Sequence, residues 1–112
     1  MKVSQFFSAF LIVSLILSCS SDDDDDMLPP PDETVTYANS IKGIIDANCT
    51  SCHGDPTTNG APMSLITAAQ VESSVRTRNL IVRVENGSMP PVGGLSASQI
   101  QAIKDWQASG FQ

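Results

Sequence analysis

The sequence is poor in the residues that most functions consume. It holds one histidine, three cysteines and six lysines and arginines against twelve acids, for a formal net charge of −6. Each shortage removes a class of answer. A nucleic-acid binder needs a basic face. From residue 34 onward, however, Lys42, Arg76, Arg78, Arg83 and Lys104 are matched in number by Asp46, Asp55, Glu72, Glu85 and Asp105. That part of the chain is neutral, and no nucleic-acid partner is expected. A zinc centre takes about four N or S ligands, and the same part offers only Cys49, Cys52 and His53. A membrane-spanning helix needs ~20 apolar residues; the most apolar stretch, "FFSAFLIVSLIL" at residues 6–17, is shorter than that.

What that stretch does fit is an export signal. Lys2 gives a positive start, the apolar run has the length of a signal core, and "LSCS" closes it. Cys19 then stands where bacterial lipoproteins carry their lipid-modified cysteine. Ile16 and Ser18 suit such a site, while Leu17 occupies a position where Ala or Ser is preferred. Residues 1–18 are therefore read as a lipoprotein signal peptide, and Cys19 as a lipidation site that attaches the protein to a membrane. Residues 19–33 follow as a tether. Asp22 to Asp26 repel one another, and Pro29 to Pro31 favour an extended backbone, so no fold is expected of this segment. The acidic run also resembles the tags that carry some Gram-negative lipoproteins to the cell surface. The expected location is the periplasmic face of the outer membrane or the cell surface.

Residues 34–112 form the folded body, small enough for its own hydrophobic core to be only marginally stabilising. At its centre lies "NCTSCHGDP", residues 48–56. Two cysteines three positions apart, with a histidine directly after the second, suit three chemistries. Zinc fails for want of ligands. A thiol–disulfide pair belongs at the start of a helix in a βαβ unit, where the helix dipole favours the thiolate, and no strand pattern precedes this motif. Covalent haem attachment needs two thiols spaced for two vinyl groups and an imidazole immediately beyond for the iron, which C-x-x-C-H supplies. It also settles the odd cysteine count: Cys19 takes lipid, Cys49 and Cys52 take one haem c, and no thiol is left over.

With His53 the only histidine, a second axial ligand has to come from another residue type, and a methionine thioether is the natural one. Met1 goes with the signal and Met27 lies in the tether. Met63, in "GAPMSL", is expected to pack in the core. Met89, in "NGSMPPVGG", lies in a loop stiffened by Pro90 and Pro91 and flanked by glycines that permit close backbone approach. His53 and Met89 are thus the expected iron ligands.

The surrounding pattern is helical. Tyr37, Ile41, Ile44, Ile45 and Asn48 follow one helical face over residues 36–48. Thr67 with Gln70, and Ser96 with Gln99, form capping boxes. A helix is expected from the first box to about Arg76, a short one within "NLIVRVENG", and a last one bearing Ile100, Ile103 and Trp106 inward until Gly110.

An N-terminal helix, "CTSCHG", a later "SMPP" and a closing helix with an aromatic together resemble the small class I c-type cytochromes over residues 34–112. The resemblance implies an all-α fold wrapped around one covalently attached haem, with the first and last helices crossing at Ile41 and Ile45 against Ile103 and Trp106. It implies a one-electron carrier rather than an enzyme, with redox proteins as partners and no small-molecule substrate. It further implies a backbone carbonyl accepting the His53 N–H, for which Pro56 and Pro62 are the candidates. Arg76, Arg78 and Arg83 are candidate partners for the haem propionates, against the ordinary expectation that exposed arginines are solvated. The alternatives are a haem enzyme or gas sensor with a displaceable ligand opposite His53, and a haem-free C-x-x-C thiol-redox lipoprotein.

Overall fold

The computed structural model describes residues 33–112. The signal peptide, Cys19, the acidic tether and Met27 lie outside the described residues. The body is all-α, with no strand among the described residues. The chain enters through a wide first turn, Tyr37–Ile41, in which the Thr36 carbonyl accepts from both the Ser40 and Ile41 amides. It continues directly into α1 (Lys42–Asn48), followed by α2 (Ala68–Thr77), α3 (Leu80–Glu85) and α4 (Ala97–Ala108). None of these helices is long and apolar enough to cross a membrane.

Local chemistry explains where the helices begin. Thr67 and Ser96 each accept the amide of the third helical residue, and Gln70 and Gln99 reach back to the cap amides, as expected of capping boxes. A third box opens the first turn, with Asn39 rather than Gln as the returning side chain. α2 runs to Thr77, one residue beyond the expected end. Asn79 then adopts a left-handed conformation, φ +56°, and turns the chain sharply from α2 into α3.

The wide first turn packs on α4, α4 on α3, and α3 on α2. Ile41, Ile45, Ile103 and Trp106 are all buried in one core cluster, and the start of the first helix packs on the last, where the crossing was expected. Trp106 is its centre. The Tyr37 ring lies 5.6 Å away on one side, and Phe111 meets it edge-on at 4.8 Å. The Gln112 carbonyl accepts from both the Tyr37 amide and the Trp106 Nε1–H, tying the end of the chain to the start of the body. Arg76 closes this corner, its guanidinium 4.4 Å above the Phe111 ring and its Nε bonded to Glu72. The Tyr37 hydroxyl is buried with no hydrogen-bond partner among the described residues, and that burial pushes its pKa up.

Since the Ser96 cap satisfies an amide at the start of the longest helix, Ser96→Ala is expected to lower unfolding free energy by about 1 kcal/mol. Urea denaturation followed by circular dichroism measures this, and an unchanged midpoint would remove the cap from the stabilising interactions.

Candidate functional site

The cysteine motif grows out of the end of α1. Cys49 is the residue that caps α1, its amide bonded to the Ile45 carbonyl at 2.8 Å. The Cys49 carbonyl then accepts from both Cys52 N (3.2 Å) and His53 N (2.9 Å). The motif is therefore one tight turn, which puts two thiols and an imidazole on a short stretch of backbone. Thr58 pins the loop that follows, donating its amide to the Cys52 carbonyl and its hydroxyl to the Ser51 carbonyl, each at 2.8 Å. Gly54 belongs to the same turn: a Cβ there would lie 2.8 Å from the Thr50 carbonyl oxygen.

His53 is buried and held at two points by the returning loop. Its carbonyl accepts from the Leu65 amide at 2.7 Å, and its ring Nδ1 lies 2.8 Å from the Met63 carbonyl. A carbonyl can only accept, so Nδ1 carries the hydrogen, and in the neutral ring Nε2 keeps a free lone pair. The carbonyl thus belongs to Met63, not to Pro56 or Pro62. Leu65 carries the reason. It is buried in the core, and the loop's return to bury it sets Met63, two residues earlier, against the ring. The sequence does not single out this carbonyl, because Leu65 and its neighbour Ile66 are equally apolar and only the loop path decides that Leu65 is the one buried.

His53, Cys49, Cys52 and Met89 all border one cavity of about 760 Å³. Its other walls are mainly apolar, among them Ile45, Leu65, Leu80, Val84, Leu95 and Ile103. Met89 reaches it from the loop after α3, where its amide donates to the Arg83 carbonyl at 3.0 Å and the Ser88 hydroxyl donates to the same oxygen. Met63 departs from expectation. It is half-buried and lines the cavity rather than joining the core. Arg78 and Arg83 also border the cavity, whereas Arg76 does not.

Both cysteines are free thiols, and they differ in surroundings. Burial pushes the Cys49 thiol up to about 11, the reverse of what a reactive redox thiolate requires. Cys52 Sγ accepts from Asn59 Nδ2 at 3.3 Å, a contact with no sequence signature. Among the described residues no three His, Cys, Asp or Glu side chains gather as a bare metal site.

This donor set fits a covalently held haem. Two thiols, an imidazole with a free Nε2 and a thioether converge on an apolar cavity of ligand size. The sequence model of the family described as "Cytochrome C oxidase, cbb3-type, subunit III" matches residues 37–106. No curated protein and no solved structure matches the chain.

Because a Cβ at position 54 would run into backbone rather than a flexible side chain, Gly54→Ala is expected to cost about 1–3 kcal/mol of stability. Chemical denaturation of the purified protein reads it out; a cost near zero would mean that the turn through Thr50 opens freely.

Proposed function

Because this chain belongs to the family "Cytochrome C oxidase, cbb3-type, subunit III", whose cytochrome c domain carries covalently bound haem c and transfers electrons, we propose that it is a monohaem one-electron carrier with His/Met ligation. In this reading Cys49 and Cys52 form the two thioether bonds and His53 and Met89 bind the iron. The supporting observation is the Nδ1-to-Met63 hydrogen bond in a cavity that the two thiols and Met89 also line.

When bound, the haem supplies a one-electron change between ferrous and ferric iron. Everything else falls to the chain. The Met63 carbonyl fixes the His53 tautomer and ring plane and raises the basicity of Nε2. The Arg83 carbonyl holds the Met89 backbone at the cavity, and the Met89 thioether, holding the iron, would favour the ferrous state and so a relatively high potential. The apolar walls keep water from the iron, which further disfavours the more highly charged oxidised form. With His53 and Met89 both holding the iron, substrates would have no ready access to it, and the protein would serve by docking weakly to redox partners.

The export reading completes the proposal. A lipid on Cys19 anchors the chain at the periplasmic face of the outer membrane or at the cell surface, and residues 20–33 let the domain reach partners from a fixed point at high local concentration.

Two outcomes are expected. Met89→Ala keeps the covalent haem, lowers the reduction potential and admits cyanide or carbon monoxide to the iron. Redox titration and absorption spectra measure these changes, and an unaltered potential and spectrum would transfer the ligand role to Met63. Cys19→Ser moves the protein from the membrane to the soluble fraction after cell fractionation; continued membrane retention would sink the lipid anchor.

A further inference from the structure

The charges of the body are unevenly satisfied. Lys42 pairs with Asp46, Arg76 with Glu72, and Lys104 with Glu85. Of the five cationic side chains on the body, Arg78 and Arg83 alone have no carboxylate within ion-pair distance among the described residues, and both border the cavity. They are also brought together. Arg78 ends α2, Asn79 turns the chain back, and Arg83 lies on α3 with its Nε donating to the Arg78 carbonyl at 3.2 Å. That bond lays the Arg83 guanidinium beside the Arg78 backbone, and its outer N–H groups have no partner among the described residues. Both side chains are exposed, so the pair sits on the solvent-facing rim of an otherwise apolar chamber.

We propose that Arg78 and Arg83 form a carboxylate-binding rim, and that the anions it takes are the two propionates of the haem in this cavity. The assignment rests on the reading of the cavity as the haem site. The chemistry is specific. A guanidinium presents a planar fork of N–H groups that matches a carboxylate. Among the described residues no Asp or Glu borders the cavity to compete for it. Arg76 is excluded by the same geometry, being committed to Glu72 and Phe111. The Arg83 main-chain carbonyl, which holds Met89, is independent of its side chain, so the two roles of this residue separate by substitution.

Removing a positive charge beside the propionates leaves more uncompensated negative charge near the iron and favours the ferric form. The test is a redox titration at low ionic strength of the purified haem protein carrying Arg78→Gln, Arg83→Gln, both together, each Lys counterpart, and Arg76→Gln as control. Each Gln variant is expected to lower the potential. In the double variant the ferrous-to-ferric ratio at fixed poise falls about tenfold. The Lys variants stay near the parent, Arg76→Gln leaves the potential unchanged, and the Met-sulfur-to-iron absorption band persists throughout. Unchanged potentials in the Gln variants, an effect confined to one arginine, or Lys variants that fall as far as Gln would each overturn the proposal. Loss of haem from the parent protein is a separate outcome: it would overturn the haem-site reading itself, which denaturing extraction detects before any titration.

Discussion

The hydrogen bond from His53 Nδ1 to the Met63 carbonyl fixes more than the orientation of a ring. The bond exists because the loop after the cysteine motif returns to bury Leu65 in the core, and the Leu65 amide bonds the His53 carbonyl on the way. Burying a leucine is worth about 1.5–3 kcal/mol, enough to hold a short loop in place. Once it is held, the Met63 carbonyl meets Nδ1, which carries the hydrogen, and the neutral ring then presents its lone pair at Nε2. Hydrophobic burial at one residue therefore sets the ligand chemistry of another twelve positions earlier. A substitution at Leu65 would act on the His53 ring without touching it.

The same economy runs through the helical frame. Ile45 and Ile103 face the crossing of the first and last helices and also wall the cavity. In a body this small, core and cofactor chamber have to share side chains, since a separate core would need more chain than there is. A large planar apolar group in the chamber then serves as the missing part of the core. This accounts for a fold whose helices are individually short yet meet in one seam around Trp106, closed at the far end by the Gln112 carbonyl.

Much of this was legible in the sequence, and the boundary between what was and was not is physical. Helix starts were legible because a capping box is decided within four residues, and Thr67–Gln70 and Ser96–Gln99 contain all of it. The buried seam was legible because Ile41, Ile45, Ile103 and Trp106 follow helical spacing. The convergence of Cys49, Cys52, His53 and Met89 on one cavity was anticipated from residue chemistry. The carbonyl on His53 was not. The loop between the motif and α2 carries two prolines, and which carbonyl faces the ring depends on how far the loop travels before Leu65 turns inward. Met63 was misplaced for the same reason, since its half-buried position follows from the loop path and not from its hydrophobicity. The Arg78–Arg83 corner depends on the left-handed turn at Asn79, a conformation that local sequence permits without requiring.

The two sides of the site gain their stiffness from different sources. On the His53 side it comes from hydrogen bonds: the Cys49 carbonyl, the Met63 carbonyl and the Leu65 amide all engage His53. On the Met89 side the Arg83 carbonyl is the anchor, accepting from the Met89 amide and the Ser88 hydroxyl, and no main-chain group of residues 90–95 hydrogen-bonds to the main chain of another described residue. There Pro90 and Pro91 restrict φ covalently and so replace hydrogen bonding as the source of order. Gly93 and Gly94, both at positive φ, then bend the chain back toward α4. An electron carrier benefits from a site that changes little between oxidation states, and both arrangements supply that. They differ in what they permit. The His53 side is interlocked with the core and cannot be altered without disturbing Leu65 and α1. The Met89 loop joins α3 to α4 and is bonded back to α3 through the Arg83 carbonyl. In this architecture the imidazole side is tied into the fold, while the thioether side is held by fewer bonds.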